Sequence, residues 1–477
     1  MAGIVSYGAY IPFYRLERKD IAVAWSGRPV AGERAVANWD EDSLTMGVEA
    51  ARDCLVGFNP EEVEGLYFAS TTSPFKEKQV AALIAAACDL KKEIVTADYG
   101  NSLRGGTTAL RNALDGVKAG SARNTLVVVS DCRVPYPKSA GEYNAGDGAA
   151  AFLIGNENVM AEIEATFSLA DEIFDCWREE GERFPHTWED RFVFQEGYQR
   201  VMEQAILKAL AKYGFALKDF TKVVFYGPDG RAQRILAARL GLEVTKLVGQ
   251  PLFDSVGNTG GAFLPLLLVS ALEEAKPGDR FLVANYGDGA DVFILRTTEK
   301  INFFKRRGVK AYLGAKKKLD SYQRYLAFRR LIETEPSRVP PIPDPPTLLW
   351  REQDSLCRFR GSRCQLCGKI QFPIQRVCPS CRTKDTFEQV KLRERKATLY
   401  TFTLDHLDAT TLDPPGVRIF VELEGEVRIK TQLTDCCPDQ IKIGMPVEPT
   451  FRRFFPGGDI PTYAWKFRPE RGKNEKE

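Results

Sequence analysis

Two cysteine pairs, Cys364-Gln-Leu-Cys367 and Cys378-Pro-Ser-Cys381, stand ten residues apart, and no other feature of the chain restricts its folding so tightly. Each pair presents two thiolates from one tight knuckle. Four thiolates at Zn–S distances of about 2.3 Å close a tetrahedral site and leave no position open for chemistry. The spacing therefore predicts a structural zinc ribbon with Cys364, Cys367, Cys378 and Cys381 as ligands; a rubredoxin-type iron centre would use the same set. Gly368 and Pro379 suit the knuckle turns. The chain has 11 cysteines, and those outside the pairs follow no regular spacing, which argues against a secreted disulfide framework. Cys357, Cys436 and Cys437 are read as small buried hydrophobes.

A ribbon organises a few dozen residues, whereas 477 residues with 44% hydrophobic content can build two or three cores. After the ribbon, short alternating segments (398–403, 418–423, 427–433) separated by turn residues predict a small β-barrel of OB type. Before it, 337–346 is a proline-rich connector that ends any helix, and 301–346, with basic helices to about 335, is the most basic stretch of the chain. The expected plan is residues 1–300 as one large domain, 301–346 as a basic helical segment and linker, 347–390 as the ribbon, 391–470 as the barrel and 471–477 as a charged tail. Lys+Arg total 66 against 64 Asp+Glu, so no overall field draws the molecule to nucleic acid or an anionic membrane. No apolar run is long enough to span a bilayer and the first residues lack a secretory pattern, which places the protein in the cytoplasm.

The first 300 residues alternate buried-strand runs (65–70, 124–130, 149–154, 222–226, 280–285) with helix-period segments, the pattern of an α/β fold. A strand, a Gly pair and an apolar helix occur twice, at Gly105/Gly106 with 107–119 and at Gly257-Asn258-Thr259-Gly260-Gly261 with the helix behind it. Such repetition predicts two related halves.

WREQDSLCRFRGSRCQLCGKIQFPIQRVCPSC and the strands after it resemble the rubredoxin-like zinc-ribbon and OB-fold module that accompanies thiolases. GIVSYGAYIPFYRL, GGTTAL, GAAAFLIG, GNTGGAFLPLLLVSALEEAKPGDRFLVANYGDGADVF and QRYLAFRR resemble hydroxymethylglutaryl-CoA synthase and its condensing-enzyme relatives over about 1–335. This resemblance implies a five-layer thiolase-like fold of two halves, self-association, and a CoA thioester as ligand or substrate. Active members use a Cys nucleophile at the head of a buried helix, a His, an Asn and a Glu. Carried over by motif, the Cys position is Leu103, with Ser102 beside it; the His position is Tyr226; the Glu position falls at Thr71; Asn258 alone is retained. The two histidines, His186 and His406, fall elsewhere.

These substitutions favour an auxiliary subunit that pairs with a Cys-bearing thiolase in forming or cleaving a C–C bond of a β-ketoacyl-CoA. The alternative is a stand-alone aldol or retro-aldol lyase using Tyr226, with Asn258 holding an enolate. A weaker reading is nucleic-acid binding through Phe402, Phe420, Phe451, Phe454 and Phe455 on the barrel. Basic residues around Lys305–Arg307, Lys310, Lys316–Lys318 and Arg329–Arg330 are candidates for CoA phosphates or an acidic partner.

Overall fold

The computed structural model describes the whole chain except residues 304–305, 334, 336–343, 409, 426, 455–459 and 472–477. Lys305, Phe455, most of the proline-rich connector and the tail beyond Arg471 thus lie outside the described residues. The chain divides into two compact units. The first comprises Met1–Ala37, Asp42–Ile84 and Lys91–Tyr325; the second comprises Asn38–Glu41, Ala85–Leu90 and Leu326–Glu477.

In the first unit, one half runs β1 (Gly3–Tyr10), α1 (Ser43–Cys54), β2 (Gly65–Ala69), β3 (Val95–Tyr99), α2 (Gly105–Lys118), β4 (Asn124–Asp131) and β5 (Gly148–Gly155). The other runs β6 (Ala161–Ala170), α3 (Arg200–Tyr213), β7 (Lys222–Phe225), β8 (Leu247–Val248), α4 (Phe263–Leu272), β9 (Arg280–Tyr286) and β10 (Gly289–Thr297). Their strand orders are the same, β3-β2-β4-β5-β1 and β8-β7-β9-β10-β6. In each half the outer three strands, β3-β2-β4 and β8-β7-β9, are parallel, and the last strand in sequence returns antiparallel between its neighbours. The two five-stranded halves pair edge to edge through Gly3↔Glu162 and Ile4↔Ala161.

The sequence dictates this layering. β5 is buried along its whole length, and its Ala-Ala-Ala run lets backbone and helix approach closely on both faces. α1 covers one face of the first half, its start fixed by a capping box in which the Asp42 carboxylate accepts from Thr45 N at 3.0 Å and the Thr45 hydroxyl accepts from Asp42 N at 2.9 Å. α2 packs on the opposite face. Gly106 is obligatory there, since a Cβ would lie 2.9 Å from both Val129 methyls. α4 is apolar all round and buried at nine of its ten positions, as a helix enclosed between layers must be. It shares with α2 an apolar lining that includes Leu110, Leu264 and Leu268 together with Ile4 and Val283 from the two halves. With α3 on the outer face of the second half, the layers are α/β/α/β/α.

Past β10 the chain is held by two acids, the buried Asp53 of the first half and the part-buried Glu273 of the second. The Asp53 carboxylate accepts from the amides of Ala9, Arg307 and Gly308, each at 3.1 Å. Glu273, just beyond α4, accepts from Lys310 N at 3.3 Å. Burial pushes the Glu273 carboxyl up to about 7, and the Lys310 amide and charge only partly offset it. A carboxyl raised on folding favours the native state below its unfolded pKa, and that contribution disappears as pH rises through about 7. Glu273→Gln is therefore expected to match the wild type near pH 5 and to be more stable near pH 8 by about 1–2 kcal/mol, the partial exposure being discounted. Thermal melts at both pH values check this; a gap independent of pH overturns it.

The basic stretch is not a free cationic surface. Lys316 pairs with Glu33, Lys318 with Glu17 and Asp20, and Lys310 with Glu274 at 3.2 Å. Three of the charges foreseen as a CoA or partner patch, Lys310, Lys316 and Lys318, are thus met by acids of the same unit.

In the second unit, β11 (Arg360–Cys364), β12 (Ile370–Gln371) and β13 (Phe387–Lys391) form the ribbon sheet. β14 (Ala397–Asp405), β15 (Gly416–Leu423), β16 (Val427–Leu433), β17 (Pro446–Arg453) and β18 (Tyr463–Pro469) close a barrel in the order β14-β15-β16-β18-β17. Phe451 is fully buried against Trp465 and Tyr463, so it is core rather than a stacking platform. Phe402 and Phe454 are half-buried, and Phe420 is exposed.

Two short segments from far upstream complete this unit. Asp40 binds Lys466 Nζ at 2.8 Å and Arg452 Nη1 at 3.4 Å, Glu41 reaches the same Arg452 nitrogen at 2.5 Å, and Asp435 takes Arg452 Nη2 at 2.6 Å. Trp39 lies under Lys466, 4.8 Å from ring centre to Nζ. Asp89, buried, holds Arg360 at 2.6 Å, Arg358 at 3.1 Å and Lys391 at 3.5 Å.

Candidate functional site

Two sites require separate description, one in each unit. In the first unit the loops at the carboxyl ends of β2, β4, β7 and β9 meet the residues preceding α2 and α4, the location where open α/β sheets place ligands.

Asp131, the last residue of β4, organises these loops. Its carboxylate accepts from Ser70 Oγ (2.9 Å), Thr71 N (2.7 Å) and Oγ1 (3.0 Å), Thr72 N (3.1 Å) and Oγ1 (3.0 Å), and Gly261 N (2.7 Å). Thr71 is thereby committed to a structural carboxylate. Its backbone carbonyl also accepts from Arg178 Nη2 at 2.8 Å.

Leu103 lies two residues before α2. Its carbonyl accepts from Asn285 Nδ2 at 3.2 Å, and Gly287 backs onto it so closely that a Cβ there would stand 3.3 Å from the Leu103 Cβ. Ser102 Oγ accepts from Arg104 N at 3.3 Å, so it caps the turn.

Tyr226 follows β7 and continues its pairing through Tyr226 N to Ala284 O at 2.9 Å. Asn258 Nδ2 donates to the Tyr226 hydroxyl at 3.1 Å and to the carbonyls of Gly227 and Pro228 at 3.2 and 3.1 Å, while its Oδ1 accepts from Gly260 N at 2.9 Å. Every polar group of the Asn258 side chain is engaged; it positions Tyr226 and has no donor left for a ligand. Tyr226 is 4% exposed and stacks on Tyr286 at 6.5 Å. Burial pushes its phenol up to about 12, against the pull of Arg133 and the Asn258 hydrogen bond. At neutral pH it is a hydrogen-bond donor and not a base. Of the residues singled out from the sequence, Tyr226 and Asn258 are in contact, and Leu103 and Thr71 stand on the adjoining loops.

Several members of the cluster escaped sequence reasoning. Arg133 donates from Nη2 to Cys176 Sγ at 3.2 Å; Cys176 belongs to a short hairpin, Cys176–Trp177 paired with His186–Thr187. Asp175 accepts from the Tyr286 hydroxyl at 2.5 Å. Burial raises the Asp175 carboxyl and the Tyr286 phenol, the acid further raising the phenol. Tyr198 donates to the Tyr226 carbonyl at 2.8 Å. Arg133 could have been suspected from its place just past a buried strand; the hairpin carries no local signal. His186 stacks on Trp177 at 5.7 Å and bonds Glu182 at 2.8 Å. His406 sits in a turn of the other unit.

In the second unit, the sulfurs of Cys364, Cys367, Cys378 and Cys381 all lie within 4.8 Å of one another. Cys364 to Cys381 is 3.6 Å and Cys367 to Cys378 is 3.5 Å, near the ~3.8 Å edge of a tetrahedron with 2.3 Å bonds. The amides of Cys381 and Ser380 point at Cys378, and these hydrogen bonds pull its thiol down to about 6. The donor set fits a closed zinc site, and zinc there would tie the two knuckles together.

Comparison with known proteins follows the same division. Residues 358–386 match the family model of the ChsH2 rubredoxin-like zinc ribbon domain, and 390–452 match that of the ChsH2 C-terminal OB-fold domain. The chain is 33% identical over 345 residues to hydroxymethylglutaryl-CoA synthase of Methanocaldococcus jannaschii, covering 70% of this chain and all of that protein. It is 33% identical over 311 residues to the Methanopyrus kandleri synthase, covering 63% and 88%. In fold it is similar to a crystal structure of HMG-CoA synthase complexed with CoA, with TM-score 0.63 and 19% identity over 68% of this chain and 89% of that one. It is also similar to 3-oxoacyl-[acyl-carrier-protein] synthase III of Aquifex aeolicus VF5, with TM-score 0.56 and 24% identity over 62% and 100%. Among the described residues no helix is long and apolar enough to cross a membrane. A thiolase-like two-half fold, a full-length match to curated synthases and a ChsH2-type C-terminal region together establish that this chain belongs to the hydroxymethylglutaryl-CoA synthase family.

Proposed function

We propose that the chain binds acyl-CoA without forming an acyl-enzyme and serves as the accompanying subunit of a Cys-bearing thiolase that forms or cleaves a C–C bond in a β-ketoacyl-CoA. The observation that carries this reading is Leu103 at the head of the buried helix α2, packed against Gly287 with its carbonyl held by Asn285. An aliphatic side chain accepts no acyl group, and among the described residues no imidazole joins the cluster to activate Ser102. A synthase of this fold crystallised with CoA supports CoA thioesters as the ligand class. A ribbon and barrel without open metal positions fit a role in assembly.

A tagged full-length chain is expected to capture a thiolase-fold protein bearing the nucleophilic Cys, and the mixture alone is expected to turn over β-ketoacyl-CoA with CoA. Intact-mass spectrometry after exposure of this chain to acetyl-CoA is expected to find it unmodified. An acetyl adduct on any of its own residues overturns the reading.

One observation favours a second reading. Tyr226 is buried and fixed by Asn258, and among the described residues its hydroxyl proton meets no acceptor. A retro-aldol lyase needs such a donor at the thioester oxygen to stabilise the enolate released when the Cα–Cβ bond breaks. If the isolated, zinc-loaded chain cleaves a β-hydroxyacyl-CoA and Tyr226→Phe lowers kcat about a hundredfold or more, the lyase reading replaces the first.

A further inference from the structure

Arg34 lies on the short strand Glu33–Val36, paired with Tyr14–Glu17, and is 0% exposed. Its guanidinium sits over the Tyr325 ring, 4.9 Å from the centroid. Nη1 donates to the Glu142 carbonyl at 2.7 Å and to the Tyr325 hydroxyl at 3.3 Å. Nε and Nη2 are buried and meet no acceptor among the described residues. These two nitrogens form one edge of the planar fork, so their N–H groups point to the same place. Glu142 gives this arginine only its carbonyl, because its carboxylate accepts from the Tyr322 hydroxyl at 2.9 Å and from Lys138 N at 2.7 Å. A second buried guanidinium, that of Arg18, stands nearby. Its donors go to neutral backbone carbonyls, Tyr143 O at 2.9 Å, Ala31 O at 3.4 Å and Phe253 O. Burial lowers the Arg18 pKa, and Arg34 lowers it further against the pull of Asp254. Among the described residues neither arginine forms an ion pair.

Buried N–H groups without a partner are rare in folded proteins and point to a bound water or ion, and a buried guanidinium is unfavourable unless an anion meets it. A water would take the two N–H groups and leave the charge; an anion answers both. Since Arg34 has no exposed surface, the edge does not admit a group carried on a substrate or a peptide, which leaves a monatomic ion. We propose that the Nε/Nη2 edge of Arg34 binds a chloride ion. By neutralising Arg34 the ion secures its bond to Glu142, on the helix Ala140–Asn144, and the Asn144 carbonyl in turn accepts from Asn258 N at 2.6 Å. A halide thus supports the loop that presents Asn258 to Tyr226. This inference is independent of the acyl-CoA reading.

The test melts the full-length zinc-loaded chain in sodium chloride, bromide or gluconate at equal ionic strength. Chloride and bromide are expected to raise the melting temperature by about 2–4 °C over gluconate, with a difference that grows with halide concentration. Arg34→Met, which keeps the length of the side chain without its charge or donors, is expected to melt alike in all three salts. Equal melting of the wild type in halide and gluconate overturns the proposal. So does an Arg34→Met variant that keeps the wild-type difference, since the halide would then act elsewhere. Anomalous diffraction from wild-type crystals grown in bromide tests the site without a variant, and a peak bridging Nε and Nη2 is the expected result. A water there, without anomalous signal, overturns the proposal. A peak seen only at molar bromide, with no shift in melting temperature, marks an adventitious ion only and overturns it as well.

Discussion

Removing zinc from the ribbon is expected to unfold residues 358–386 outright. Metal binding by a four-Cys site is worth about 10–16 kcal/mol near neutral pH, as much as the whole stability of a typical domain. The ribbon sheet itself is small, since β12 is two residues long and Cys367 and Cys381 are exposed, and apart from the metal its support comes from its margins, where Asp89 holds Arg358, Arg360 and Lys391. Chelation should release one zinc per chain and abolish amide protection in Arg360–Cys364 and Phe387–Lys391, and Cys378→Ser should do the same without chelator. Hydrogen exchange with and without metal, alongside metal analysis, checks this. Persistence of protection in metal-free protein would show that packing alone holds the ribbon and would remove zinc from its account.

Asp40→Ala is expected to destabilise the second unit by about 3–5 kcal/mol, the usual effect of removing one partner from a buried ion cluster. Asp40, Arg452 and Asp435 are all 0% exposed in their side chains, and Lys466 is 1%. Without Asp40, Lys466 loses the carboxylate 2.8 Å away, and its ammonium, already lowered by burial, has no anion to keep it charged. Urea midpoints followed through Trp39 and Trp465 fluorescence provide the measurement. A loss below about 1 kcal/mol would place the cluster in water, as for an exposed pair. Acid should act in the same direction. Burial opposes the Asp435 charge, but Arg452, Arg471 and Arg468 hold its carboxyl below the usual range. The stability it adds is present above the ordinary carboxylate pKa and is lost as pH falls through the lowered one.

Much of the architecture was legible because it rests on local rules. Val427–Leu433 was bounded to the residue by alternation between turns, and Gly105/Gly106 marked the head of α2 because close helix–strand approach admits nothing larger. The repeated strand–glycine–helix pattern corresponds to the two identical strand orders. The site was only half legible. Motif position led to Tyr226 and Asn258, which do meet at 3.1 Å. It assigned no part to Arg133, Cys176 or Asp175, whose neighbours lie between 43 and 111 residues away in sequence. Nor does charge counting reveal whether a cation is free: Lys316 and Lys318 looked available until Glu33, Glu17 and Asp20 were found beside them. Pairings across hundreds of residues are a property of the folded chain, and no window of sequence holds them.

The borrowed segments Asn38–Glu41 and Ala85–Leu90 bear on how such a molecule can be divided. A cut at the proline-rich connector separates two stretches of sequence but not two self-sufficient polypeptides, because the barrel's buried cations find their anions at Asp40 and Glu41 and the ribbon's arginines find theirs at Asp89. Supplied as separate chains, the halves would have to regain these contacts at the low concentrations of free proteins, whereas one covalent chain supplies them at millimolar effective concentration. Splitting the polypeptide at that point would therefore leave the C-terminal piece with buried cations whose anions lie on the other piece.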